Sequence, residues 1–536
     1  MSSAFDKKTD KVNRREARAE KERREKRKIR IIAVTVIIIF ALLVAGALFI
    51  NSKFVRRTIT AITIGGVNFS AAEFDYFYNS AYNEYKEYFT SQLGDYAGEY
   101  LPTEGVAHSR QIQDYETGAT WADFFTSYTI DQLSELVKYY NAAMAAGYTL
   151  PDDVREAIEN EIATYRVYAE AYGEPSLDSF LQKYIGINMN EKTMRKVMEF
   201  NSIATSYSQH IRDSFTYSNE EIAEYYAENK DNFDSFTYRY FLVNAETVTQ
   251  GDLSDEEYEA AQAAALADAV EQAALIAEGI QSEEDFIKAA VEYNEVDYAD
   301  PDSTLKVYPG SWLGSVYGPW LQDARRVNGD IETMEMTSGA YVVFFVNRDA
   351  NEYYMTEMNQ LLVMREEVDA DEYIDEYIDE HIDENINDYL DEVGDLAYLE
   401  AVANADQEAK ERAETALSLF IEGGATKEKL IELMEEYSDD TTQDGFYNMI
   451  TKNAANNKMV PEIEGWLFTP GRQVGDYELI KTEAYGYHLV YFSGYGERYC
   501  DYLATDGMRS KDYTAWTESL EDVEATSKWA FIFTTF

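Results

Sequence analysis

WLQDARRVNGD (Trp320–Asp330) and WLFTPGRQVGD (Trp466–Asp476) obey one pattern, W-L-x4-R-x2-G-D, with Arg326 matched by Arg472 and Gly329-Asp330 by Gly475-Asp476. After eight and nine intervening residues come GAYVVFF (Gly339–Phe345) and GYHLVYF (Gly486–Phe492), both Gly-x-ring-x-Val-x-Phe. That alternation predicts a strand with one buried face. Upstream, YFLV (Tyr240–Val243) and QLLV (Gln360–Val363) read as the strands that open each copy. The chain therefore contains one fold twice.

Between opening strand and tryptophan each copy is helical. Ala260–Ile280 is alanine-rich and ends beside a glycine, a helix with its stop signal. Ser282–Val296 follows it, and Ala416–Gly424 with TKEKLIELMEEYSDD play these parts in the second copy. Each copy thus reads as a small α+β module of strand, helices, loop and strand. The second also carries EYIDEYIDEHIDENINDYLDEV, where Ile374, Ile378, Ile382, Ile386 and Leu390 recur every four residues, the mark of an acidic amphipathic helix. It has no D-x-D-x-D-G loop, so calcium is not expected, and His381 reads as a polar residue on that helix.

The first 30 residues hold thirteen Lys/Arg against six Asp/Glu, whereas the remainder holds 33 against 94, within a formal net charge of -54. Between them lies IIAVTVIIIFALLVAGALFI (Ile31–Ile50), uncharged and without proline. It matches the roughly 20 residues that cross a hydrocarbon layer. A basic block before it should stay cytoplasmic, with the bulk outside. The run exceeds the 7–15 apolar residues typical of a cleaved signal, and its small-residue steps lie inside it, so an uncleaved single-pass anchor in the cell membrane is expected.

The single cysteine, Cys500, excludes an internal disulfide framework and a multi-cysteine metal site. Four histidines make zinc chemistry improbable, and no cofactor or metal is expected. So acidic an exterior argues against nucleic acid, whose phosphates need Lys and Arg.

Ile62–Phe89 opens with a short strand and a Gly-Gly turn, and Ser70 with Glu73 forms a capping box. Phe74, Phe77, Tyr78, Tyr82 and Tyr85 follow at helical spacing; the many Tyr and Phe of this region read as core, with the lining of an apolar groove as the alternative. Further helices run to about His210; His108 and His210 have no evident partners in the sequence. Ser218–Phe233 reads as a helix entering the first copy.

EEYSDD, KMVPEIEGWLF, GD and YGYHLVYF in the second copy resemble a parvulin-type peptidyl-prolyl isomerase. The helical region and basic signal anchor before it resemble extracytoplasmic foldases of the PrsA/SurA type. The resemblance implies a basic segment at 1–30, an anchor at 31–50 and a mainly helical chaperone-like domain at 58–230 completed by 500–536. A degenerate parvulin-like module at 231–350 and a second at 351–497, with the acidic helical insertion, would follow. In such proteins Met508–Phe533 would return as a helix and strand pairing with Ile62–Val67.

Carried over by position, the resemblance implies catalytic roles for Asp440 and His488, with Gln360 standing where the family has a second histidine. Phe446, Met459, Ile463 and Phe468 would bind the proline ring, Ile463 replacing a usual phenylalanine. The first copy has Tyr240, Val296 and Tyr341 at the corresponding positions, which implies no isomerase activity there. Two functions stand against each other: an isomerase assisting newly secreted polypeptides with X–Pro bonds, and a non-catalytic holdase with two inert modules. A scaffold for one wall or secretion component is a third. Oligomeric state stays open.

Overall fold

The computed structural model describes residues 2–50, 52–251, 253–368, 390–452 and 459–534. Most of the acidic repeat, with His381, lies outside the described residues. The chain is a mixed α+β protein of two compact units, Met1–Thr216 with Arg509–Phe536, and Tyr217–Met508.

In the first unit a helix α1 (Ser2–Ile50) contains the apolar run. Its stretch Glu20–Ile50 is long and apolar enough to cross a membrane. Helix α2 (Lys53–Thr58) follows, capped by Ser52. Strands β1 (Thr60–Ile64) and β2 (Val67–Ser70) form a hairpin leading into α3 (Ala71–Leu93). Ser70 and Glu73 exchange hydrogen bonds as a capping box, so two backbone N–H groups of the helix start are satisfied. Phe74, Phe77 and Tyr78 are buried, and Tyr82 and Tyr85 pack beside them, as the helical spacing predicts for core. His108 does have a partner: its Nδ1 lies 2.7 Å from the Tyr78 hydroxyl, across 30 residues of sequence. The His210 ring lies tilted beside those of Tyr148 and Tyr207.

Among the described residues, the second unit holds two antiparallel sheets of four strands with one topology. The first contains β3 (Ser235–Asn244), β4 (Leu305–Pro309), β5 (Ile331–Met336) and β6 (Gly339–Asp349), in the order β4-β3-β6-β5. The second contains β7 (Tyr354–Met364), β8 (Phe446–Ile450), β9 (Tyr477–Thr482) and β10 (Gly486–Arg498), in the order β8-β7-β10-β9. Opening and closing strands are thus central neighbours in both. The flanking strands were not legible in sequence, because half-exposed edges such as LKVYP and FYNMI carry weak apolar alternation.

The closing strands also depart from the expectation of a single buried face. On β10, Tyr487 and Leu489 pack against helices Leu390–Glu422 and Lys427–Tyr437. Val490 and Phe492, on the other face, pack against a short helix, Pro461–Leu467. Both faces are covered, so the apolar run is nearly continuous.

The repeated motif closes each sheet. The Arg472 guanidinium lies 3.9 Å from the Trp466 ring centroid and donates to the Trp466 carbonyl at 2.7 Å. Gly475 N–H donates to the Phe492 carbonyl, and Phe492 N–H to that of Asp476. In the first copy Arg326 sits over Trp320 at 4.8 Å, with the matching backbone pair between Gly329-Asp330 and Phe345. In the first unit, the C-terminal segment supplies β11 (Ala525–Ser527), which pairs with β1 through Ile62 and Ser527. Trp529–Phe533, expected as strand, is a 3-10 turn.

Candidate functional site

Gln360 on β7 and His488 on β10 are diagonal neighbours across the central strand pair: His488 faces Leu362, and Gln360 faces Val490. Diagonal positions on one sheet face are within reach of long side chains. The segment after helix Lys427–Tyr437 runs over β7. Asp439 N–H donates to the Leu362 carbonyl, and Leu362 N–H donates to Ser438 Oγ. Asp440 is thereby held above Gln360.

Five side chains then form one hydrogen-bonded row. Gln360 Nε2 donates to Asp440 Oδ2 at 2.8 Å, and the Tyr447 hydroxyl donates to the same oxygen at 2.9 Å. Because an ionised carboxylate only accepts, the amide nitrogen must face it and Gln360 Oε1 must face His488. His488 Nδ1, 2.9 Å from that oxygen, therefore carries the proton. Its Nε2 is left to accept from Thr482 Oγ1 at 3.0 Å. The glutamine thus fixes the histidine tautomer.

Burial pushes the Asp440 carboxyl up, but hydrogen bonds from Thr442 N–H, Gln360 and Tyr447 outweigh it and hold the group below its ordinary value. Burial pushes His488 down to about 4, against the pull of Asp440 and Glu462. At neutral pH the row is one carboxylate and one neutral imidazole. His488 is 3% exposed and Gln360 6%.

Beside the row, Met459, Ile463, Phe468 and Tyr447 belong to one apolar cluster with Val490 and Phe492. Lys452 reaches over the Phe468 ring at 5.4 Å. Phe446 is not brought to this cluster. It lies half-exposed under the Lys427 ammonium, because strand alternation gives the cluster side of β8 to its neighbour Tyr447. Tyr447, Thr442 and Thr482 were missed in the sequence. The alternation of FYNMI is too weak to mark Tyr447, and Thr482 carries no local sign.

In the first repeat the corresponding face is filled by rings. Tyr240, Tyr341 and Tyr317 lie with centroids 5.4 to 5.7 Å apart, and Tyr238 stacks on Tyr240 at 6.0 Å. Val296 is 92% exposed and contributes nothing to it. Tyr317 stands three residues before its tryptophan as Ile463 does, so the extra ring occupies the position of the aliphatic side chain.

The fold and site thus define an α+β chain with two like modules, one keeping a polar row and one packed shut with tyrosine. No family model matches the sequence, and no curated protein matches it. Among solved structures, PrsA from Bacillus subtilis is similar at 14% identity over 56% of this chain and 93% of that one, with a TM-score of 0.13. A superposition that poor does not establish a common fold.

Proposed function

We propose that this chain is a membrane-anchored extracytoplasmic foldase whose second repeat isomerises X–Pro bonds, with the basic N-terminus in the cytoplasm. The observation that carries the reading is the row Asp440–Gln360–His488 lying beside the apolar cluster of Met459, Ile463 and Phe468.

The reaction breaks no covalent bond. A planar amide has a rotation barrier of about 18–20 kcal/mol because resonance moves charge from nitrogen to oxygen. Met459, Ile463 and Phe468 would hold the proline ring. The fixed negative charge of Asp440 near the preceding carbonyl disfavours the polar resonance form and so favours the twisted amide. Stabilising the twisted state over the planar one is what accelerates rotation. Gln360 and His488 act as positioning residues for that carboxylate.

The test is a protease-coupled isomerisation assay with an X–Pro reporter peptide on the full chain. Asp440→Asn should lower catalysis at least about tenfold, equal to about 1.4 kcal/mol, while Tyr341→Phe leaves it unchanged. Wild type no faster than the uncatalysed peptide sinks the reading. The near-complete burial of His488 favours the alternative, a holdase with an inert second repeat. In that case Asp440→Asn suppresses client aggregation as well as wild type does.

A further inference from the structure

Helix α1 ends at Ile50 and α2 begins at Lys53, so whatever packs around α2 lies close to where the apolar helix ends. Val55 faces the core, while Phe54 is 58% exposed. The C-terminal turn Trp529–Phe533 lies against α2, with the Arg56 guanidinium 5.7 Å from the Phe533 ring. That turn is firmly held: Lys528 N–H donates to the Ala61 carbonyl, Ala530 is buried against Ala61 and Ala71, and Phe531 packs on Phe74. Trp529 and Ile532 are nevertheless turned outward, 56% and 77% exposed.

On the other flank Arg57 donates to the carbonyls of Asn188 and Met189, tying down a loop whose Ile187 is 60% exposed. Lys53 adjoins Phe54 in sequence and bonds to Gln182, Arg56 lies over the Phe533 ring, and Lys528 directly precedes Trp529. Acidic residues cluster at the opposite end of the same sheet: antiparallel pairing sets Ala525 against Ile64, so Glu521, Asp522 and Glu524 precede β11 at the end away from α2.

A basic, aromatic surface is an outlier in so acidic a chain. Tryptophan with lysine and arginine is the composition that bilayer interfaces select, the ring at headgroup depth and the cations on anionic lipid. We propose that Phe54, Ile187, Trp529 and Ile532, with Lys53, Arg56 and Lys528, form a patch seated in the interface of an anionic bilayer. The occupant follows from charge complementarity and from covalent continuity with α1. The inference rests on reading α1 as a membrane span, and it adds a second contact that holds the first unit against the lipid surface.

The experiment reconstitutes the full chain into vesicles of phosphatidylcholine and phosphatidylglycerol carrying bromine on the upper acyl chain, and reads tryptophan quenching. Subtracting Trp529→Phe isolates Trp529 from the other five tryptophans. The expected result is quenching that disappears in Trp529→Phe and weakens in Lys528→Glu or when phosphatidylglycerol is omitted. Equal quenching in wild type and Trp529→Phe overturns the patch. So does a Trp529-dependent dimer without quenching, which assigns the surface to a second copy. Carbonate extraction of the same vesicles separates the two readings. Protein that resists carbonate but shows no Trp529 quenching keeps the span and loses the patch. Protein stripped by carbonate yet quenched through Trp529 beforehand loses the span and keeps the patch.

Discussion

His488 Nδ1 and Gln360 Oε1 lie 2.9 Å apart inside the second repeat, and the burial of that imidazole decides how the site responds to acid. The folded imidazole takes a proton only at about 4, against 6.5 in an unfolded chain. Between these values the unfolded state binds more protons, so stability falls as pH falls from about 6.5 to about 4 and levels off below. The loss is on the order of 3 kcal/mol. Asp440, held below its ordinary value, adds to the loss at still lower pH. Hydrogen exchange of the peptides covering Gly486–Phe492, corrected for intrinsic rate, should report weaker protection as pH is lowered through that window. Gln360→Leu would leave Tyr447 on Asp440 but strand the His488 Nδ1–H without a partner. A buried orphan donor costs about 1–3 kcal/mol, to be read from urea unfolding.

Strands and turns decide whether the row forms at all. The turn after Asp440 brings Gly445 onto β7 with φ +55, and a Cβ there would lie 2.1 Å from the Gln360 carbonyl oxygen. Asn359 Nδ2 donates to the Asp444 carbonyl and holds the same turn. Gly445→Ala should therefore destabilise the second repeat by roughly 1–3 kcal/mol through backbone strain alone, with further loss as β7 shifts. Urea titration followed at Trp466 checks the stability, and the isomerisation assay checks whether displacing Gln360 also lowers the rate. In the motif Trp466, Arg472, Gly475-Asp476, Trp466 joins the apolar cluster of Ile463 and Phe468, while Arg472 bonds to the Trp466 carbonyl and Gly475-Asp476 to the Phe492 backbone. Repetition of the motif in both copies reflects sheet closure, which both need, rather than chemistry.

Over the whole molecule, a formal charge of -54 means that compact folding gathers many like charges. Self-repulsion opposes the folded state, and salt screens it, with a Debye length of about 10 Å at 0.1 M. The melting temperature of the full chain should rise as sodium chloride is added from low ionic strength. A flat or falling profile would mean that paired charges such as Arg348 with Asp234, rather than net repulsion, dominate.

Local chemistry wrote much of this protein into its sequence. The Trp-to-Asp motif, the capping box at Ser70, the core spacing of Phe74, Phe77 and Tyr78, and the uncharged run to Ile50 each depend on residues close together in the chain. Asp440, Gln360 and His488 could be singled out only through the family resemblance of the second copy, carried over position by position. Their joining into one row could not be read, since Gln360 meets Asp440 across 80 residues and His488 across 128. Tertiary structure alone brought in Tyr447 and Thr482, turned Phe446 out, gave His108 its tyrosine and covered both faces of β10. It also set Tyr317 into the first repeat where Ile463 stands in the second. Sequence periodicity specifies which face of an element is apolar; what lies opposite that face is decided by packing between segments far apart in the chain, which no local pattern encodes.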